Sequence, residues 1–405
     1  MKILENRSVS CVKGYRAAAI ASGLKKSGKL DMGLIVSDVP AVAAAVFTTN
    51  QVKAAPVQVD MEHVQNATTR AMVINSGNAN ACTGEQGLHD TREEAVILAE
   101  KLGIAPEEVL VYSTGVIGVT LPMDTVRAGI SQCVDALASD GDEVHRAILT
   151  TDTKEKCITV RVVLSGKEVD VCGIAKGSGM IHPNMATMLS YVVTDCSITK
   201  DVLTDLQKRI ADDTFNMVTV DGDTSTNDTA TIIANGQAGN KTIDSADTED
   251  YRIFYDAVYY VTEWLAKAIA ADGEGASHFM EVSVCGADSR QDARLMARAV
   301  AGSSLVKAAI RGADANWGRV LCAMGYSGAL FDQNTVDVAF ESEAGNIPVF
   351  IQGVPQAFDE DRALEILKEE NVRILIDMNT GDAEARSWGC DLTEEYVKIN
   401  GDYRS

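Results

Sequence analysis

The sequence has no apolar run near the roughly 18 residues that a membrane-spanning helix needs, and its first residues lack the apolar core of a secretory signal. We therefore expect a cytoplasmic protein. Nine cysteines are scattered along 405 residues without a Cys-x-x-Cys pair, so neither a disulfide framework nor a zinc site is predicted. We expect reduced thiols in the core.

Basic residues are outnumbered: 36 Lys and Arg stand against 58 Asp and Glu, for a formal net charge of −22. This balance disfavours nucleic acid and anionic membrane surfaces as partners, and its simplest interpretation is a solubility surface. The hydrophobic content of 46% and charged content of 23% are ordinary for a globular protein. The length suggests two or three domains.

Two motifs resemble a metal-binding or phosphate-binding loop but lack residues that such a loop requires. The acidic stretch at 221–228 is similar to a calcium loop, but Thr226 stands where that loop has glycine and Ile232 where it has glutamate. The Gly-Ser-Gly at 177–179 is not followed by the Gly-Lys-Ser/Thr of a phosphate-binding loop. No metal and no resident cofactor is predicted.

Apolar periodicity predicts an α/β protein in which hairpins and helices form layers with largely antiparallel pairing, and not a doubly wound nucleotide fold. Asp90 and Glu93 have capping-box spacing for one helix, and Gly103 should end it. The predicted helices are 90–102, 123–137, 201–215, 252–271, 291–301 and 361–370. The predicted strands are 33–37, 42–47, 71–75, 109–112, 157–164, 168–172, 185–194, 229–233, 280–284, 336–340, 348–351, 372–376 and 396–399.

The stretch 176–190 is the most informative part of the chain. Gly177 and Gly179 permit positive φ and close approach to a ligand, and Pro183 stops any helix there. Thr187 then stands where the bend passes into the predicted strand. A threonine at a strand start is ordinary, because its β-branch suits the pleat. The alternative is a nucleophile produced by self-cleavage.

That alternative has a definite chemistry. A threonine hydroxyl is a weak nucleophile until a base removes its proton, and an N-terminal threonine can use its own α-amino group. The Thr187 hydroxyl would attack the Ala186 carbonyl, and water would open the resulting ester. The freed amine has a reference pKa of roughly 7.7–8.0, so it accepts a proton near neutrality.

Residues 176–189 resemble the processing site of the ornithine acetyltransferase family, the bifunctional glutamate N-acetyltransferases of arginine biosynthesis. Further stretches resemble that family in the same order, at 14–18, 47–51, 75–80, 113–118, 220–228, 312–319 and 396–400, and so cover nearly the whole chain. The resemblance implies a layered helix-sheet-sheet-helix fold of the self-processing aminopeptidase type. It also implies cleavage into an α chain, 1–186, and a β chain, 187–405, assembled as an α2β2 heterotetramer.

The resemblance also assigns site residues. Thr114 and Gly115 become an oxyanion hole, where the residues alone would equally suit an ordinary Thr-Gly turn. An ammonium such as that of Lys176 suits a substrate carboxylate, and the carboxylate of Glu274 suits a cationic amino group. Substrate contacts are implied for Thr153, Lys176, Thr187, Glu274, Asn400 and Ser405, the last being a threonine in many members.

The implied reaction is a ping-pong exchange in which Thr187 takes the acetyl group of N-acetylornithine and passes it to glutamate. Some members also accept acetyl-CoA, and the sequence leaves open whether this chain does. One alternative is a related self-processed aminopeptidase or amidohydrolase that uses water as acceptor. A non-enzymatic binding protein with an intact chain is a second alternative.

Overall fold

A computed structural model describes residues 1–138, 143–182 and 188–402. The described helices are α1 (Ala55–His63), α2 (Gly84–Leu102), α3 (Met123–Asp135), α4 (Val144–Ala147), α5 (Lys200–Asp213), α6 (Glu249–Ala271), α7 (Arg290–Gly302), α8 (Ser304–Arg311), α9 (Trp317–Gly325), α10 (Glu360–Leu367) and α11 (Glu394–Asp402). The described strands are β1 (Lys2–Ile3), β2 (Tyr15–Ile20), β3 (Met32–Phe47), β4 (Thr69–Asn78), β5 (Val109–Val116), β6 (Lys156–Leu164), β7 (Lys167–Lys176), β8 (Leu189–Thr194), β9 (Val218–Thr219), β10 (Thr229–Ala234), β11 (Phe279–Ala287), β12 (Asp337–Ser342), β13 (Gly345–Ile351), β14 (Val354–Pro355), β15 (Asn371–Asp377) and β16 (Ala383–Cys390).

The 16-residue strand β3 joins two halves of a nine-stranded sheet. Its first part pairs with β2 and β4, and its second part pairs with β10. The register shifts between Val36 and Ala41, which bends the strand. The sheet order is β1-β6-β7-β8-β10-β3-β4-β5, with β2 also on β3.

The two halves of this sheet face each other across a shared core. Tyr112 on β5 packs edge-on against Tyr191 on β8, with 4.7 Å between ring centroids. The Tyr15 hydroxyl on β2 donates to the Ile233 carbonyl on β10 over 3.0 Å. These contacts link strands that do not pair, so the two halves form a sandwich.

Helices cover both outer faces of the sandwich. The α2 and α3 helices pack on the β2–β5 half, and α5 and α6 pack on the other half. The predicted helix-sheet-sheet-helix α/β architecture is therefore confirmed. Ten of the fourteen strand pairings among the described residues are antiparallel, as expected.

The long helix α6 also contacts a second sheet, of order β14-β13-β12-β15-β11-β16-β9. Lys267 of α6 lies over the ring of the buried Trp388, 5.5 Å from its centroid, and forms an ion pair of 3.2 Å with Glu281. Helix α7 packs on β11 and β16 of the same sheet. No helix of the described ranges is long and apolar enough to span a bilayer.

Two sequence-based predictions are wrong. Residues 396–399 lie in α11 and not in a strand, because the Thr393 hydroxyl accepts the Glu395 N–H at 3.2 Å and acidic residues occupy the first turn, which favours a helix start. Helix α2 begins at Gly84 and not at Asp90, which is buried within it. Its end at Gly103, with φ of 68°, is as predicted.

Other predictions are met in part. Strand β8 is described from Leu189, while residues 185–187 of the predicted strand 185–194 lie outside the described ranges. The β2 and β16 strands and the α1, α8 and α9 helices were not predicted. Cys133, Cys196 and Cys390 are buried as expected, but Cys82 and Cys322 are exposed.

The contact of α6 with β7 is tight enough to test. An alanine Cβ at Gly173 would lie 2.4 Å from Val261 Cγ1 and 2.8 Å from Leu265 Cδ1. We expect Gly173→Ala to lower the free energy of unfolding by about 1–3 kcal/mol through overpacking, measured by urea denaturation. The control is Gly325→Ala at the exposed end of α9, where a Cβ meets nothing within 4 Å. Equal midpoints for the two variants would contradict the packing described.

Candidate active site

A buried ammonium lies at the centre of the candidate site. Lys156 Nζ, at the start of β6, donates to Asp152 Oδ1 at 2.8 Å and to Asp272 Oδ2 at 2.5 Å. All three side chains are at most 2% exposed. Asp272 caps the C-terminus of α6, so this triad joins the long helix to the loop before β6. None of these three residues was predicted to be functional.

The triad fixes the glycine bend that follows β7. Asp152 Oδ1 accepts the Gly177 N–H at 2.7 Å, and the Asp272 carbonyl accepts the Ser178 hydroxyl at 2.7 Å. Neither Gly177 nor Gly179 has the positive φ that the sequence permitted. Gly179 instead permits a close approach within the protein, because a Cβ there would lie 2.3 Å from the Glu274 carboxylate. Close approach to a ligand stays a prediction.

Lys176 brings positive charge to the end of β7. Its Nζ lies 3.5 Å from Thr114 Oγ1, a long hydrogen bond, and no carboxylate of the described residues lies within 4 Å of it. Burial alone would raise the pKa of Asp152, but Lys176 and Lys156 outweigh it and hold that pKa at about 2. Burial raises the pKa of Asp228 well above its ordinary value despite the opposing effect of Lys176. A ligand carboxylate therefore has an ammonium to bind.

Thr114 and Gly115 lie beside Lys176, near the end of β5. Gly115 has φ of 135°, and a Cβ there would lie 2.4 Å from the carbonyl carbon of Gly77, so no other residue fits without a backbone shift. Asn227 Nδ2 donates to the Ser113 carbonyl at 2.8 Å and to the Ala79 carbonyl at 2.6 Å. These contacts fix the strand end that was predicted to hold the oxyanion.

The last described helix, α11, contributes Asn400 to the candidate site. Asn400 on α11 donates from Nδ2 to Glu274 Oε2 at 2.7 Å, and Glu274 follows α6. The Tyr396 hydroxyl, one turn earlier, donates to Asp221 over 3.3 Å. The helix that replaces the predicted strand thus places Asn400 beside Glu274.

One cavity of about 130 Å³ lies at this candidate site. Five predicted site residues are among its lining: Thr114, Gly115, Lys176, Glu274 and Asn400. Thr150 and Thr151 also line it, whereas the hydroxyl and N–H of Thr153 are directed to Asp272. The role of Thr153 stays a prediction. Ala186, Thr187 and Ser405 lie outside the described residues.

The acidic stretch at 221–228 holds the chain beside this cavity in place. Asp221 accepts the N–H groups of Met180 at 2.6 Å and Ile181 at 2.9 Å, and the Thr224 hydroxyl donates to the His182 carbonyl at 2.9 Å. Burial, with Arg298 nearby, lowers the pKa of His182 to about 4, so its ring is neutral at physiological pH. The motif therefore has a structural role that its sequence did not reveal.

Comparison with known proteins places this geometry in a family. The model of the ArgJ family matches residues 16–405. The chain belongs to the ArgJ family. It is 51% identical over 407 residues to the arginine biosynthesis bifunctional protein ArgJ of Caldanaerobacter subterraneus subsp. tengcongensis, covering 100% of both chains. The ArgJ protein of Thermotoga neapolitana is 52% identical over 395 residues, which cover 97% of this chain and 99% of that one.

Membership in the ArgJ family confirms the prediction of an arginine-biosynthesis acetyltransferase. A crystal structure of the bifunctional protein ArgJ from Bacillus halodurans is similar with a TM-score of 0.50 and 44% identity. The match covers 98% of that chain but 53% of this one. The chain in that crystal is therefore about half as long as the chain described here.

The Lys156 triad gives a testable prediction. We expect Lys156→Met to lower the free energy of unfolding by about 3–5 kcal/mol, because it leaves two buried carboxylates without their shared cation. The measurement is urea denaturation. The control is Lys101→Met, where the ammonium is exposed and bonds only the Ser131 hydroxyl in the described structure. A Lys156 variant as stable as the control would show that the triad is not required.

Proposed function

We propose that the chain cleaves itself between Ala186 and Thr187, and that the new N-terminal Thr187 carries an acetyl group from N-acetylornithine to glutamate. The main support is that Thr114, Gly115, Lys176, Glu274 and Asn400, distant in sequence, line one small cavity. The half-length chain of the ArgJ crystal structure fits a processed relative and supports cleavage here.

The described chain on each side of the cleavage site supports this assignment. Met180, before it, lines the cavity, and the segment that follows Met180 is held by Asp221 and Thr224. Leu189, after it, pairs with Lys176 in the β7–β8 ladder. Thr187 is two residues from Leu189, so a reacting hydroxyl close to Lys176 and Thr114 requires only a short chain path.

In the first half-reaction, the Thr187 hydroxyl attacks the acetyl carbonyl while its α-amine takes the hydroxyl proton. We assign to the Thr114 hydroxyl and the Gly115 N–H the stabilisation of the oxyanion that develops. The C–N bond then breaks, and the amine of ornithine leaves with the proton. In the second half-reaction the glutamate amine attacks the ester and restores the Thr187 hydroxyl.

The two amino acids differ in side-chain charge but share an α-carboxylate. We assign that carboxylate to Lys176, whose ammonium faces the cavity without a carboxylate within 4 Å among the described side chains. Glu274, oriented by Asn400, is assigned to a cationic amino group of a substrate. Shared recognition near Thr187 allows one cavity to serve both acetyl donor and acceptor.

Several finer assignments belong to the same proposal. The relatives are named bifunctional, which supports acetyl-CoA as a second acetyl donor for this chain. We also propose the α2β2 assembly of α and β chains, the contact of Ser405 with substrate, and a cytoplasmic location. The competing hydrolase hypothesis differs in its acceptor, since water would release acetate in place of N-acetylglutamate.

Self-cleavage is tested by the intact mass of the purified protein under denaturing conditions. We expect two fragments in place of one 43.2 kDa chain, the first ending at Ala186 and the second beginning at Thr187. Thr187→Ala should stay uncut because it lacks the hydroxyl, whereas Thr187→Ser should still be cleaved. A Thr187→Ala protein cut at the same bond would place the nucleophile elsewhere.

Shared carboxylate recognition is tested with Lys176→Ala. We expect KM to rise at least tenfold for both N-acetylornithine and glutamate, since each loses the same charge-assisted contact. The assay follows N-acetylglutamate and acetate separately, and cleavage of the variant is verified first by its mass. Lys167→Ala, at the exposed opposite end of β7, is the control. A change for one substrate alone would refute shared binding, and acetate as the main wild-type product would favour the hydrolase.

A further inference from the structure

A second and larger cavity lies next to the candidate active site. Its volume is about 840 Å³, and Gly115 and Thr150 line both cavities. Pockets for drug-sized ligands and cofactors occupy about 300–1,000 Å³, so this space exceeds the need of a single amino acid. A ligand bound there can extend to the oxyanion-binding end of β5.

One loop, residues 24–30, contributes positively charged side chains to the lining of this cavity. Lys25, Lys26 and Lys29 all line it. Lys26 and Lys29 are exposed, and neither has a carboxylate within 4 Å in the part of the chain that the structure describes. This local charge is opposite in sign to the net charge of −22. Such a concentration of cations attracts an anionic ligand.

The other charges that line the cavity are already paired. Arg146 donates to Glu155 at 2.7 Å and forms a second ion pair with Glu143. The carboxylate of Asp152 is held by Lys156. The uncompensated charge of the cavity therefore comes from the lysines of the loop.

The lysine loop is held in place. The buried Asp31 accepts the N–H groups of Ser22 at 2.6 Å, Gly23 at 3.1 Å and Lys25 at 2.8 Å. Lys25 Nζ donates to the carbonyls of Leu30 at 2.9 Å and Leu149 at 2.7 Å. A loop fixed in this way loses little conformational entropy when it binds a ligand.

The loop also contacts the oxyanion-binding end of the sheet. A Cβ at Gly77 would lie 3.2 Å from Lys25 Cγ, and Gly77 is the strand partner of Gly115. The remaining lining includes the apolar side chains of Leu24, Val116, Val119 and Leu149. A lining that contains both charged and apolar groups suits an amphipathic ligand.

We infer that this cavity binds the phosphate groups of an acyl thioester donor of the CoA type, with Lys26 and Lys29 as the main phosphate contacts. The inference rests on the proposed acetyl-Thr187 intermediate and on acetyl-CoA as second donor, and adds where the donor binds. Lysine is a common phosphate ligand as a point charge. In this assignment the carrier arm extends to Gly115, which lines both cavities.

The chemical step conserves atoms and charge. The Thr187 hydroxyl oxygen forms a C–O bond with the acyl carbon, and the C–S bond of the thioester breaks. The proton taken by the Thr187 α-amine passes to the thiolate leaving group. The products are the acetyl ester and a free thiol, and no oxidant or reductant is needed.

Binding is tested by calorimetry with CoA on the cleaved wild-type protein and on the Lys26→Gln/Lys29→Gln variant. We expect the dissociation constant for CoA to rise at least tenfold in the variant, because two phosphate contacts are lost. The control, Lys167→Gln/Lys208→Gln, removes the same charge from exposed positions on β7 and α5 and should change it less than twofold. Equal CoA affinity in the three proteins, or inorganic phosphate bound as tightly as CoA, would overturn the assignment.

Kinetics separate this inference from the proposed exchange. In the Lys26→Gln/Lys29→Gln variant, KM for acetyl-CoA should rise at least tenfold, while KM for N-acetylornithine and for S-acetylcysteamine, which has no phosphate, should change less than twofold. A wild-type protein that exchanges acetyl groups with N-acetylornithine but neither binds nor uses acetyl-CoA would refute the donor site alone. Loss of the N-acetylornithine reaction in the wild type would refute the proposed function itself.

Discussion

The buried ammonium of Lys156, held between Asp152 and Asp272, is the interaction on which the candidate site depends. It ties the C-terminus of α6 to the loop before β6, and both carboxylate residues then hold the bend at Gly177 and Ser178. A buried ion pair often adds little net stability compared with apolar residues in place of both partners. Removal of one partner alone, however, is strongly destabilising, because it leaves a buried charge uncompensated. The role of the Lys156 triad here is positional, because the segments that it holds place Lys176 and Glu274 at one cavity.

Much of the fold could be predicted from local pattern. Apolar runs predicted most strands of the sandwich, though not β2, and amphipathic periodicity predicted the helices around it, within a few residues at most ends. The failures have physical causes. Residues 396–399 contain Tyr, Val and Ile, which favour strands, but Thr393 and the acidic first turn start a helix that contacts Glu274. Asp90 and Glu93 have the spacing of a cap, but the chain is already helical from Gly84, and local spacing does not show what precedes it.

The site residues could be predicted where the residue types and their local spacing indicate a role. A glycine pair around a bend and a Thr-Gly at a strand end are visible in sequence, and Lys176, Thr114 and Gly115 do meet. Lys156 and Asp272 were not predictable in this way, because lysine and aspartate are mostly exposed and nothing near them in sequence indicates burial. Their pairing joins positions 116 residues apart and exists only after α6 has packed on β6. Buried charge networks of this kind depend on tertiary structure.

The net charge of a protein is a weaker indicator of its binding partners than the magnitude of that charge suggests. A total of −22 disfavours anionic partners at long range. At the distance of a contact, however, binding depends on the groups within a Debye length, about 8–10 Å at physiological salt. The lysine loop places Lys26 and Lys29 beside a large cavity, and the nearby carboxylates of Asp152 and Glu155 are paired with other cations. At the proposed donor site, an acidic protein thus attracts a phosphorylated ligand at one place while its remaining surface repels it, and this difference directs the ligand to the cavity that adjoins the candidate active site.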